Sequence, residues 1–284
     1  MSNLVITTDS PTDIAPSKAE AYGIGIIPLH VNLDGKDYKD GQSITNQFIM
    51  DTYRQKKILP STSAVAVAEY VDFFGAYLEE GKTVIHIAFS SGASCTYQNA
   101  CIAADDLKEK GTVHVIDSKA LSVGTAVVVY KACDLLASGA TEEELLKGIQ
   151  DYIARVDKTF VITSLEFLKH GGRCSAVEAF GANLLKLKPC IDMVDGKMEV
   201  IKKFRGSDEK AYLAYLADRI AEAGSYDDSL ACVSSVLVPE STLENVVSVL
   251  KEEYHFKEVV LSECGCVIAA RGGKGALALS FLRT

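Results

Sequence analysis

Thr83-Val84-Ile85-His86-Ile87-Ala88-Phe89-Ser90-Ser91-Gly92-Ala93-Ser94-Cys95-Thr96-Tyr97-Gln98 is the stretch on which the fold turns. The first six residues, rich in β-branched side chains, predict a buried strand. A hydroxyl-rich loop with a glycine stops it, and the amphipathic run from Thr96 to Leu107 predicts a helix. Strand, polar turn and helix in this order make half of a βαβ unit, and the pattern recurs. Leu4 to Thr7, Val113 to Ile116 and Phe160 to Thr163 read as further buried strands, with helical stretches at Ala64 to Leu78 and Val123 to Leu136. The alternation predicts a mostly parallel α/β sheet.

Farther along the chain the punctuation changes. Asp34-Gly35 and Asp195-Gly196 each separate two strand-like runs, as in antiparallel hairpins with tight turns. The second hairpin, Lys188–Val194 with Lys197–Phe204, opens a region with helices expected at Asp208 to Ala223 and Thr242 to Tyr254. Strands are expected there at Leu230 to Leu237, Glu258 to Leu261 and Val267 to Ala270. The fold class is therefore α/β in two domains: residues 1–164 with the mostly parallel sheet, and residues 165–284 with a mixed sheet. A length of 284 residues and 48% hydrophobic content suit two ordinary cores.

Composition removes several function classes. The formal net charge of -9 repels phosphate backbones and anionic membranes, and no basic block offsets it, so nucleic acid is a poor partner. No run of about 18 apolar residues is present and no basic leader precedes the first strand, so no stable membrane insertion is expected and the chain reads as soluble and cytoplasmic. The eight Cys lie mostly in apolar segments, as small buried hydrophobes do in a reducing compartment.

Ligands of open parallel sheets bind beyond the carboxyl ends of the strands. Here those ends carry hydroxyls: Thr8-Asp9-Ser10, Ser90-Ser91-Gly92 and Asp117-Ser118, with Ser61-Thr62-Ser63 between two helical patterns. Any one of them is plainly read as a helix N-cap, a geometry shared with anion binding. Their accumulation, with few cations nearby in sequence, suits a single carboxylate. A second constellation, Leu168-Lys169-His170-Gly171-Gly172-Arg173, predicts a tight glycine turn followed by an apolar helix from Ala176 to Leu187. Lys186, Lys188, Lys202, Lys203 and Arg205 form a basic concentration, either a solvated face or a landing site for phosphate or an acidic partner.

Catalytic motifs are incomplete. Gly92-Ala93-Ser94-Cys95-Thr96 lacks the closing glycine of a nucleophile elbow. His30, His86 and His114 sit in strand-like runs where a satisfied core imidazole is the plainer reading. Gly272-Gly273-Lys274-Gly275 is not a phosphate loop, and neither a Cys-x-x-Cys pair nor a His-Glu-x-x-His helix occurs, so no cofactor or metal is expected. A hydrolase or phosphoryl-transfer enzyme using Ser94 with Asp9 or Arg271 is the alternative reading.

Taken in order, these landmarks resemble the DegV family of bacterial fatty-acid-binding proteins, which includes the carrier subunits of a fatty acid kinase system. Thr8-Asp9-Ser10-Pro11-Thr12-Asp13-Ile14 is similar to the family's opening Thr-Asp-Ser signature, and Thr62-Ser63 to its Thr-Ser loop. Ser90 to Gln98 is similar to its Ser-Ser-Gly-x-Ser-Gly-Thr-Tyr-Gln segment. Asp117 to Gly124, Leu168 to Arg173, Lys188-Pro189 and Arg205-Gly206 continue the series almost end to end.

The resemblance implies a non-catalytic carrier that buries a long-chain fatty acid inside the protein. By position, Thr62 and Ser94 would hydrogen-bond the carboxylate, with Ser63 and Ser91 nearby. Arg205 matches a basic position that kinase-linked members use with the partner kinase that phosphorylates the presented carboxylate; Arg173 is a second candidate for partner or phosphate contact. Arg271 stands where the family commonly has His, Lys274 where it has Pro, and Cys95 where it has Gly. Arg271 then either pairs with the carboxylate or turns outward. Burying about 15 methylenes at roughly 0.8 kcal/mol each gives about 12 kcal/mol before entropy costs, so the tail would supply affinity and the hydroxyls orientation.

Overall fold

The structure, a computed structural model, describes residues 3–172 and 187–284. The chain runs through β1 (Leu4–Asp9), α1 (Pro16–Tyr22), β2 (Gly25–Ile27), β3 (His30–Leu33), β4 (Lys36–Lys39), α2 (Asn46–Lys56), β5 (Ser61–Ser63), α3 (Val67–Glu79), β6 (Thr83–Ala88), α4 (Thr96–Asp106) and β7 (Val113–Asp117). It continues through α5 (Val123–Ala137), α6 (Glu142–Arg155), β8 (Thr159–Val161), α7 (Glu166–Gly171), β9 (Leu187–Val194), β10 (Lys197–Arg205), α8 (Asp208–Ala223), β11 (Tyr226–Ser235), α9 (Glu240–Glu252), β12 (Glu258–Glu263), α10 (Cys266–Gly272) and β13 (Leu277–Arg283).

Three sheets result. One is parallel, in the order β2-β1-β6-β7; a small antiparallel one has the order β4-β3-β5; and a mixed one has the order β10-β9-β8-β13-β11-β12. The parallel sheet is buried on both faces, which is why its strands read as continuous apolar runs. Both hairpins form at the expected dipeptides, with Asp34, Gly35, Asp195 and Gly196 all at positive φ.

Helix α5 joins the two larger sheets. Residues Val123 to Tyr130 are all buried, and the helix packs on β1 and β6 from one side and on β11 and β13 from the other. Over these two turns the helix is buried all round and has no solvent face to turn outward.

Two expectations need correction. The run Phe160 to Thr163, read with the parallel strands, only overlaps β8, which ends at Val161 and is antiparallel to both its neighbours β13 and β9 in the mixed sheet. The chain thus changes sheet between α6 and β8, ahead of residue 164. The run Val267 to Ala270, read as a strand, is helix α10. A short apolar run fits a buried strand or a buried helix turn equally well, and the partners that decide it lie far away in sequence. The helix expected from Ala176 falls outside the described residues, except that Leu187 opens β9.

Candidate binding site

A cavity of about 300 Å³ lies between the loops of the parallel sheet and the inner face of the mixed sheet. Its depth is apolar and buried: Leu29, Phe89, Leu121, Phe160, Leu168 and Leu277 line it, each less than a tenth exposed. Met198, from the strand after the Asp195-Gly196 turn, closes another part of the wall. Polar side chains gather where the lining meets solvent. Thr62, Ser94 and Arg271 are half-buried there, and Ser63 and Cys95 are exposed.

Each polar residue is placed by its element. Thr62 and Ser63 lie on β5, paired with Val31 and His30 of β3. Ser94 precedes α4, receives the Thr96 backbone N–H at 3.2 Å, and lies 2.6 Å from the Thr96 hydroxyl. Arg271 lies in the last turn of α10, and its Nη2 donates to Thr62 Oγ1 at 2.7 Å. Since the Thr62 oxygen accepts that bond, its own proton is available to a second acceptor. Gly171 allows the guanidinium this position: a Cβ there would lie 2.7 Å from Arg271 Cδ and 2.9 Å from Nη1. Gly172 then ends α7 at φ +65, in the predicted turn.

The other candidates lie elsewhere. Ser91 does not line the cavity; its hydroxyl donates to Asp117 Oδ2 at 2.5 Å and its N–H to Asp117 Oδ1 at 3.1 Å, so the end of β7 holds it. Arg205 is exposed at the end of β10, away from the lining, and Arg173 lies outside the described residues. Within the basic concentration, Lys188 contacts Asp208 and the Gly206 carbonyl, and Lys202 pairs with Asp218. His86 is fully buried between Thr7 and Asp9, its Nε2 3.3 Å from Asp9 Oδ1, whereas His30 and His114 are half-buried beside carboxylates and lie outside the core.

The strand-end hydroxyls divide. Thr8 bonds to the Ile87 carbonyl, Ser10 to Asp40 and Ser118 to the Ala120 carbonyl, all within the protein. Ser122, which no sequence motif marks as a ligand contact, also belongs to the lining. It sits at φ 51, ψ -137, a backbone state that costs a non-glycine residue roughly 1–3 kcal/mol. Its hydroxyl donates to Asp13 and lies 2.7 Å from the Ser234 hydroxyl. The only sequence hint was a serine opening an apolar helix, which also describes an ordinary cap.

Chemically the site can hold an anion at its rim. Arg271 brings a permanent positive charge, and the Thr62 and Ser94 hydroxyls add donors. Nucleophilic catalysis finds little support: Ser94 has neither an imidazole nor a carboxylate among its hydrogen-bond partners, and Asp9 accepts from Tyr70 and the Phe89 N–H. Among the described residues, no group of three or more His, Cys, Asp or Glu is arranged to hold a metal, and no helix is long and apolar enough to cross a membrane. The seven described cysteines are free thiols.

Comparison with known proteins agrees over the whole length. The model of a family described as uncharacterised proteins of the DegV family matches residues 3–284. A DegV domain-containing protein of Caldanaerobacter subterraneus subsp. tengcongensis is 32% identical, with 99% of each chain covered. A DegV family protein from Thermus thermophilus, described as binding fatty acid, superposes with a TM-score of 0.90 at 29% identity, covering 99% of both chains. DegV from Bacillus subtilis, described as a fatty acid binding protein, gives 0.87 at 25% identity over 100% of both.

Proposed function

The chain belongs to the DegV family, and from that premise we propose that it is a non-catalytic carrier of a long-chain fatty acid. The carboxylate sits at the cavity rim on the Thr62 and Ser94 hydroxyls and the Arg271 guanidinium, with Ser63 beside them, and the tail runs inward along Phe89, Leu168 and Phe160. One observation carries the reading: a cavity apolar in its depth has its lining cation at the mouth, already hydrogen-bonded to the Thr62 hydroxyl on neighbouring β5. Arg271, at the position where the resemblance expects His, therefore turns toward the site. A permanent guanidinium favours the ionised form of a half-desolvated carboxylate, whatever the state of neighbouring titratable groups. The Thermus and Bacillus relatives support the ligand class.

Presentation of the carboxylate to a fatty acid kinase is the further part of this proposal, with exposed Arg205 as a contact. Mass spectrometry of denatured protein purified from its own host should release a stoichiometric long-chain fatty acid. Protein that carries none and fails to take up added palmitate ends the proposal.

A further inference from the structure

The opening motif Thr8 to Asp13 does not line the cavity, yet two of its residues, Asp13 directly and Ser10 through Asp40, bear on the start of α10. Asp13 Oδ1 accepts the Gly265 N–H at 2.7 Å, and Asp40 Oδ1 accepts the Cys266 N–H at 2.6 Å. Ser10 donates to Asp40 Oδ2 at 2.7 Å and receives the Leu29 N–H, while Ser122 donates to Asp13. Leu29, Ser122 and the first turn of α10 are all cavity wall, so two carboxylates tie three wall segments together. Gly265 makes the approach feasible: a Cβ there would lie 2.9 and 3.0 Å from the Asp40 oxygens and 3.3 Å from Asp13 Oδ1.

We infer that Asp13 and Asp40 are positioning residues for ligand binding, fixing the start of α10 on the amino-terminal loops so that Arg271, at its other end, meets Thr62. The inference rests on the fatty-acid reading for its consequence but not for its geometry. Cys266 and Arg271 are five residues apart, about 7.5 Å of helix, so a tilt at the clasp passes directly to the guanidinium. An ordinary cap would need one acceptor. Two carboxylates buried together carry a desolvation cost that capping alone does not require: Asp13 is 5% exposed and Asp40 2%. Burial foremost pushes Asp13 up to about 8 and raises Asp40 as well.

Crystal structures of Asp13→Ala and Asp40→Asn without ligand test the geometry, and the affinities of palmitate and 1-hexadecanol test its consequence. Expected are a lost Arg271–Thr62 hydrogen bond, palmitate binding weaker by about tenfold, little change for the alcohol, and no added loss when Asp40→Asn is placed on Arg271→Gln. An intact Arg271–Thr62 bond, equal losses for acid and alcohol, or additive losses would overturn the inference. Should either variant fail to fold, Ser10→Ala loosens Asp40 more gently and is read the same way. A parent protein that binds no palmitate refutes the fatty-acid reading, while the crystal comparison still decides the positioning.

Discussion

Replacing Ala278 with Leu should shorten the fatty acid that the protein prefers. Ala278 lines the cavity from β13, directly opposite Phe160 in the antiparallel register, on the apolar wall away from the polar rim. The substitution adds three carbons to a wall that faces open space, so it takes the place of about three ligand methylenes. At roughly 0.8 kcal/mol for each buried methylene, the fully accommodated chain loses about 2.4 kcal/mol, or roughly 50-fold in affinity. A chain three carbons shorter keeps its contacts. Displacement titrations of saturated acids from C10 to C18, a range spanning the expected ~3-carbon shift, should show the optimum moving to shorter chains with the short-chain affinities unchanged. Thermal stability should hold, because filling a cavity does not force the off-rotamer packing that an enlarged side chain causes in a solid core. Equal weakening at every length, or none at any, would refute the placement of the tail; a steep loss of stability would show that the wall is packed.

Gly92→Ala places a Cβ 2.1 Å from the Gly196 carbonyl oxygen, which is backbone and cannot swing aside. We expect the β9–β10 turn to be displaced along with Met198, a loss of about 1–3 kcal/mol in denaturant unfolding, and faster fatty-acid release in stopped flow; unchanged release would remove the hairpin from the cavity wall. The pH dependence follows from Asp13, whose acid form is favoured in the folded state, with a pKa near 8 against an ordinary 3.8. The folded chain therefore holds this proton more tightly than the unfolded chain. Its contribution is complete below about pH 4 and disappears as pH rises through about 8, so it makes stability fall across that window. Denaturation midpoints followed over this range should decline less in Asp13→Asn than in the parent, and parallel curves would contradict the assignment.

Much of this could be read in the residues themselves. Strand β6 and helix α4 follow from periodicity, and both hairpins from Asp-Gly pairs that tolerate positive φ. Thr62 and Ser94 could be singled out through the family resemblance, because each sits in a short motif. Helix α10 could not be identified as a helix, since the acceptors for its first N–H groups lie more than 200 residues earlier. Ser122 escaped notice for the same reason: its partners Asp13 and Ser234 are each over 100 positions away. Without the resemblance, nothing local separates Ser91 from Ser94, three positions apart, one turned to Asp117 and the other lining the cavity.

Helix α5 bears on how the molecule comes apart. With one flank against the parallel sheet and the other against β11 and β13, it cannot leave either without baring apolar side chains on both. A cut near residue 164 would strand it with one half and leave an uncovered sheet in the other. The two halves are therefore expected to melt as a single cooperative unit, and the pocket between them persists only while both are folded.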